Sequence, residues 1–215
     1  MIGTTDLAGA SGDTMSANPG APYEMVETPR SEPSDALLWD DRLYEIINGK
    51  RVEKLIGFYE SGIAFILGYY LEHYARTGQL GRVRVEMMFR IDAANALDRR
   101  PDVAFISYER WPKKRRLPRT NAAEVVPDLA VEVVSPTNLA MDVLVKIDEY
   151  FRAGVRLVWV IYPDLNKVYV YESPTSVRIL GQTDELDGGT VLPGFRLQVA
   201  ALFEDEPEAE EAEPG

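Results

Sequence analysis

The sequence predicts an α/β (α+β) domain, a mixed central β-sheet flanked by helices, on three observations. Short apolar runs bounded by Pro or polar residues (PDVAFIS, DLAVEVV, VRLVWVIYP) have the length of strands buried on both faces. A longer stretch, about Phe58 to Arg76, carries its apolar residues at helical spacing. Over residues 128–162 the order strand–helix–strand implies a right-handed crossover and parallel pairing.

The elements follow in order. Residues 1–33, rich in Gly, Ser, Thr, Pro and acids without an apolar period, read as a disordered leader. Ser34 or Asp35 can cap a short helix through ALLWDDRL. YEIINGKRVEKLI reads as a hairpin, because Asn48-Gly49 supplies the positive-φ residues of a tight turn. The long helix sets Ile63, Ile66, Leu67, Tyr70 and Tyr74 on one stripe, with Gly78 as its stop. RVRVEMMFRI alternates as one half-buried strand, and PDVAFIS and DLAVEVV become central strands. The basic loop between those two is long enough to be functional rather than a mere connector. Asn138 or Thr137 caps the next helix, Gly154 ends it, and VRLVWVIYP follows as a buried strand. KVYVYES, SVRILG and LPGFRLQVAALF add antiparallel edge strands and a final docking turn. The folded domain is expected over 34–203, and the acidic tail 204–215 is expected to be disordered.

Composition excludes several chemistries. The chain has 215 residues, no Cys and one His, so disulfides, thiolate metal sites and two-histidine mechanisms are ruled out. The absence of Cys fits a reducing cytoplasm, the expected location. His73 lies among aromatics in a helical stretch, where a structural or surface role is expected. No secretory signal is expected from the first residues, no apolar stretch is long enough to span a membrane, and no phosphate-binding glycine loop occurs.

The net charge of −12 argues against a nucleic-acid partner until its distribution is considered. Residues 1–40 hold seven acids and one base, and residues 204–215 hold seven acids and no base. That leaves 21 acids against 22 bases in residues 41–203. Eight of those bases (Arg99, Arg100, Arg110, Lys113, Lys114, Arg115, Arg116 and Arg119) fall within 21 residues around Asp102. Such a patch suits a phosphodiester substrate, and Lys113, Lys114, Arg115, Arg116 and Arg119 are its expected contacts. A solvated basic loop is the plainer alternative.

Two carboxylates stand where an isolated charge is penalised. Asp102 heads the apolar run after Pro101, and Glu132 is the only charge inside DLAVEVV. Burial strips a carboxylate of hydration worth several kcal/mol unless it is paired or bound to a cation. Lys146 lies on the following helix, seven residues from Leu139 and so at the margin of the stripe Leu139, Val143, Ile147, Tyr150 and Phe151. An ion pair with Asp142 is its alternative. Glu45, in LYEIING, could approach a metal from the side of the first helix, with a plain sheet-entry Glu as the alternative. Asp128 and Glu124 read as loop or strand-entry charges. Two carboxylates and an amine at one sheet edge make a divalent-metal site with a partner for water or phosphate.

The ordered series YEIINGK, RRPDVAFIS, PDLAVEVVSPTN, a Lys in the next helix, AGVRLVWVIYP and LPGFRL resembles the Uma family of restriction-endonuclease-like proteins, within the PD-(D/E)XK nuclease superfamily. The resemblance covers about residues 34–203 and implies a four-stranded mixed sheet core with Asp102 and Glu132 as metal ligands. Many superfamily members place a Lys two residues after the Glu. Here Val134 holds that position, and Lys146 would be the displaced equivalent. The family usually has Asp where this chain has Tyr162, a strand-end position not expected to be catalytic.

The expected function is a metal-dependent endonuclease hydrolysing phosphodiester bonds, with DNA as substrate and Mg²⁺ or Mn²⁺ as cofactor. Asp102, Glu132, a backbone carbonyl near Val133 and Glu45 would hold the ion through hard oxygen ligands. Lys146 would orient water or stabilise transition-state charge. A homodimer is entertained, with no membrane partner. The rival readings are a non-catalytic nucleic-acid-binding or interaction module that keeps the fold, and a hydrolase of small phosphorylated molecules.

Overall fold

A computed structural model describes residues 42–116 and 120–204. The expected leader, the helix through ALLWDDRL, Arg119 and the tail beyond Glu204 lie outside the described residues.

The chain opens with the expected hairpin, β1 (Tyr44–Ile47) and β2 (Lys50–Glu53). Asn48 and Gly49 both take positive φ, 52° and 74°, as a two-residue turn that matches strand twist requires. Helix α1 (Phe58–Thr77) follows. Its buried face is Ile63, Ala64, Leu67, Gly68, Leu71 and Ala75, about one position off the expected stripe. Tyr70 is exposed, and Ile66 and Tyr74 sit at the margin. Leu67 and Leu71 are fully buried, worth about 1.5–3 kcal/mol each. The helix ends as expected, but Gly78 stays right-handed and Gln79 takes the left-handed turn at φ 53°.

The expected single strand RVRVEMMFRI is two strands, β3 (Gly81–Val85) and β4 (Phe89–Asp92). Between them Glu86 adopts φ 52°, and the chain leaves one sheet for another. A non-glycine residue there costs roughly 1–2 kcal/mol, and nothing in the alternating pattern announces it. A short strand that sequence reasoning missed, β5 (Leu97–Arg99), pairs with both β4 and β1.

The central strands are β6 (Val103–Ser107) and β7 (Leu129–Val133), each buried at every residue. Helix α2 (Ala140–Ala153) then crosses to β8 (Leu157–Tyr162), and β7 and β8 pair in parallel as the crossover requires. Gly154 closes α2 at φ 95°. No side chain caps its start: Asn138 accepts from the Ser135 backbone N–H instead. The rest of the chain forms β9 (Lys167–Ser173), β10 (Ser176–Leu180), β11 (Glu185–Asp187) and β12 (Arg196–Gln198), ending in a 3₁₀ turn over Val199–Leu202.

The main sheet has six strands in the order β10-β9-β8-β7-β6-β3, antiparallel except for β7/β8. The β9–β10 hairpin thus extends the four-strand core β8-β7-β6-β3. A second sheet, β2-β1-β5-β4, carries the hairpin. One face of the main sheet packs Leu129, Val131 and Val133 with α1 and the C-terminal segment. The other packs Ala130, Val158 and Val160 with Val143, Ile147 and Tyr150 of α2. Leu139, expected on that stripe, is exposed.

Candidate active site

Asp102 and Glu132 meet because β6 and β7 are antiparallel. Val103 pairs with Val131, so the residue before β6 and the residue near the end of β7 reach the same end of the sheet. A cavity of about 450 Å³ opens there, lined by Glu45, Lys54, Asp102, Glu132, Val133 and Lys146 among others. Its walls carry six carboxylates, including Glu53, Glu60 and Asp142, against three cationic side chains.

Glu132 lies on the α2 face of β7, where its neighbour Ala130 packs against the helix. Lys146 Nζ donates to Glu132 Oε2 at 2.9 Å, and the Tyr150 hydroxyl donates to Oε1 at 2.6 Å. Burial disfavours the Glu132 anion, but Lys146, Lys54 and the Tyr150 hydroxyl overcome it and hold the carboxyl below its ordinary value. Burial likewise opposes charge on Lys146, while Glu132 and Glu45 raise its affinity for the proton above the lysine norm. Tyr150, wholly buried beside an anion, stays protonated far above the ordinary phenol range. At neutral pH the trio is therefore carboxylate, ammonium and phenol.

Asp102 is held on both oxygens. Lys54 Nζ donates to Oδ1 at 2.7 Å, and the Val133 backbone N–H donates to Oδ2 at 2.5 Å. Lys54 follows β2 directly and donates also to Glu86 Oε2 at 3.0 Å and the Arg100 carbonyl at 2.7 Å. Burial works against its charge, yet Asp102, Glu132 and Glu86 together hold the ammonium above the usual lysine range. Glu86 is the odd member. Burial, reinforced by Asp102, outweighs Lys54 and pushes its carboxyl up to about 8.

Glu45, on β1, lines the same cavity, with both of its carboxylate oxygens already engaged. Its Oε2 accepts from Arg99 at 2.7 Å and its Oε1 from the Arg100 backbone N–H at 2.9 Å. Lys146 lies 3.5 Å from Glu45 Oε1 and so bridges Glu45 to Glu132. Arg99 completes a buried chain of charges by pairing with Glu149 at 2.6 Å. Among the described residues no three carboxylates converge closely enough to form a ready-made cation cage. Asp102 and Glu132 still offer hard oxygen donors with lone pairs beyond those their hydrogen bonds use, the donor type Mg²⁺ or Mn²⁺ takes.

The basic loop is not where chain proximity suggested. β6 is about 16 Å long, and the loop attaches at its far end, where Trp111 N–H donates to the Ser107 carbonyl. Arg82 ties the loop down through the Lys113 carbonyl, and Arg115 lies over the Trp111 ring at 4.3 Å. Lys113, Lys114, Arg115 and Arg116 are exposed, and none lines the cavity. Of the other bases, Arg99 is spent on Glu45 and Glu149, and Arg100 on backbone carbonyls of Tyr44 and Glu86. Arg110 is spent on Asp128. His73 is exposed and stacks on Tyr69, outside this cavity.

Lys54, Glu86 and Tyr150 are the site residues that sequence reasoning missed, and Arg99, read as part of the basic patch, is instead a buried partner of Glu45 and Glu149. A Lys closing a polar hairpin strand carries no signal of burial. Glu86 was hidden in an alternating pattern, and Tyr150 was read only as an apolar stripe member.

The sequence model of the Uma2 family, described as "Putative restriction endonuclease", matches residues 34–200. The chain belongs to the Uma2 family. No curated protein matches it. Among solved structures it is similar to the crystal structure of "a putative nuclease belonging to DUF820" from Anabaena variabilis ATCC 29413. The TM-score is 0.66 at 19% identity, over 75% of this chain and 89% of that one. That likeness shows the fold: a restriction-endonuclease-like nuclease fold. No helix among the described residues is long and apolar enough to cross a membrane.

Proposed function

We propose that this Uma2 protein is a divalent-metal-dependent endonuclease that hydrolyses phosphodiester bonds of DNA. One observation carries the reading: two carboxylates from the central strands and an ammonium share one cavity at the sheet end, although burial penalises each. Asp102 and Glu132 would hold Mg²⁺ or Mn²⁺, with a Val133 backbone carbonyl and Glu45 as further oxygen donors. The ion, when bound, supplies Lewis acidity and a water of lowered pKa.

This chain's residues supply the rest. The Val133 N–H fixes Asp102, and Tyr150 fixes Glu132, so neither carboxylate must be ordered when substrate arrives. Lys146, protonated between Glu132 and Glu45, would stabilise negative charge growing on the phosphoryl oxygens. The cavity walls carry more negative than positive side chains, so a polyanion is repelled until a cation neutralises them. DNA binding should therefore depend on the divalent ion. The exposed loop Lys113–Arg116 would hold the DNA backbone at a distance from the cavity.

A second reading, a non-catalytic module that keeps the fold, is favoured by one feature: both central carboxylates already have cationic partners. Incubation with plasmid, linear and single-stranded DNA and with mononucleotides, in Mg²⁺, Mn²⁺ or chelator, separates the readings. Metal-dependent cleavage of polymers supports the proposal. Intact DNA in every metal leaves the interaction module, and hydrolysis of mononucleotides alone points to small phosphorylated substrates.

A further inference from the structure

Lys54 has no place in the mechanism above, yet it is the most enclosed cation facing the two central carboxylates, with its side chain 10% exposed. Its ammonium has three donors and three acceptors: Asp102 Oδ1, Glu86 Oε2 and the Arg100 carbonyl. Asp102 cannot swing away to another partner, because its other oxygen is pinned by the Val133 N–H. A cation that coordinates Asp102 from the cavity must therefore compete with Lys54.

The fold provides a place for the loser. Lys54 lines the cavity, and Glu86, to which it also donates, does not. Glu86 is brought beside Lys54 by the break between β3 and β4, where the Glu86 N–H donates to the Asp102 carbonyl at 3.1 Å. The Arg100 guanidinium grips the Glu86 carbonyl from the other side. A left-handed glutamate fastened on both sides of its peptide is a costly way to turn a chain. It does present one more acceptor to a lysine that already faces Asp102.

We infer that Lys54 is the resident counter-ion of this site, and that a divalent cation entering the cavity displaces its ammonium from Asp102 and leaves it on Glu86 and the Arg100 carbonyl. The inference rests on the metal-dependent reading above. Two cations on one carboxylate oxygen repel strongly in a partly buried site, and the divalent charge prevails when the monovalent one has another seat. Without metal, Lys54 keeps Asp102 from facing Glu132 as an unpaired anion. With metal, the same role passes to the ion. Lys54 thus sets the affinity of the site while touching no reacting atom, which makes it a positioning residue.

Calorimetric titration of Mn²⁺ into the full-length protein, without substrate, tests this on wild type, Lys54→Met, Glu86→Ala and Glu132→Gln. Lys54→Met should bind Mn²⁺ roughly tenfold more tightly than wild type, since the competitor is gone. Glu86→Ala should bind several-fold more weakly, because the displaced lysine loses its second seat. Thermal melts give an independent readout: Lys54→Met should melt lower without metal and gain more from Mn²⁺ than wild type gains. Wild-type binding with equal or weaker binding by a folded Lys54→Met overturns the inference and leaves the nuclease reading standing. Should Lys54→Met not fold, unchanged affinity in Glu86→Ala overturns it. Absence of Mn²⁺ binding in wild type and every variant overturns both, and Mn²⁺ binding by Lys54→Met alone supports the displacement directly.

Discussion

The two ends of the β6–β7 pair each bury a carboxylate, and they do so differently. At one end Asp128, 1% exposed, lies 2.8 Å from both Arg110 and Arg156 and accepts the Ser107 N–H at 2.6 Å. Arg110 also donates to the Val126, Pro127 and Gly154 carbonyls. At the other end Asp102 and Glu132 are held by lysines and face an open cavity. Arginine's planar fork stays charged and satisfies several acceptors at once, which suits a permanent clamp. Lysine is a compact charge on a flexible stem, the type of partner that the proposed displacement of Lys54 requires. Burial of a carboxylate alone therefore does not mark a site. On the proposed reading, what marks the other end is burial beside a cavity with lysine as the partner.

The largest effect that could break this comparison is on stability. Asp128→Ala should destabilise the fold by about 2–4 kcal/mol, because it orphans the Ser107 N–H and unclamps both arginines. Chemical denaturation measures it, and the folded fraction should keep its cleavage rate per molecule. A smaller effect is expected at Tyr150, which touches Glu132 but not the cavity. Tyr150→Phe should lower metal affinity or cleavage by roughly 10-fold, as loss of an outer-shell partner usually does. Its melting temperature should fall only slightly, and a full loss of folding would recast Tyr150 as a core residue alone.

Much of this was legible in the chain. Glu132 and Asp102 stood out because each interrupts or heads an apolar run, and the parallel β7/β8 pair followed from strand–helix–strand order. Lys146 was placed by its helical angle, and the structure sets it 2.9 Å from Glu132. What stayed hidden was non-local. Asp128 was read as a loop or strand-entry charge, since its partners lie 18 and 28 residues away in sequence. Lys54 and Glu86 come together only because a strand breaks at a non-glycine residue that carries no turn signal. The basic loop differs for the opposite reason: it is near Asp102 in sequence but not in space, because β6 lies between them.

A pH profile sharpens the comparison further. The Glu86 carboxyl rises from 4.5 to about 8 on folding, so the folded state keeps a proton that the unfolded chain has released. Its contribution to stability is full below pH 4.5 and declines as pH rises towards 8. Glu132, held below its ordinary value, has the opposite sign: its contribution is present above that value and is lost as pH falls through the folded one. In chelator, melting temperature followed across this range should decline less with rising pH in Glu86→Gln than in wild type. Parallel curves would remove Glu86 from the charge network.

The smallest effect is expected from the basic loop. Neutralising Lys113, Lys114, Arg115 and Arg116 should weaken DNA binding and lower its salt slope by roughly one to three units. The cleavage rate of bound DNA should hold, because none of these residues lines the cavity. An unchanged slope makes the loop a solvated surface.

The most direct measurement sets the two ends of the sheet against each other in one assay: Mg²⁺-dependent plasmid cleavage by Glu132→Gln and by Asp128→Asn, each confirmed folded. Glu132→Gln should lose at least about 100-fold in rate, and Asp128→Asn should cleave within a few-fold of wild type. Equal activity in Glu132→Gln and wild type, or loss confined to folded Asp128→Asn, would contradict the assignment of the cavity end as the active site.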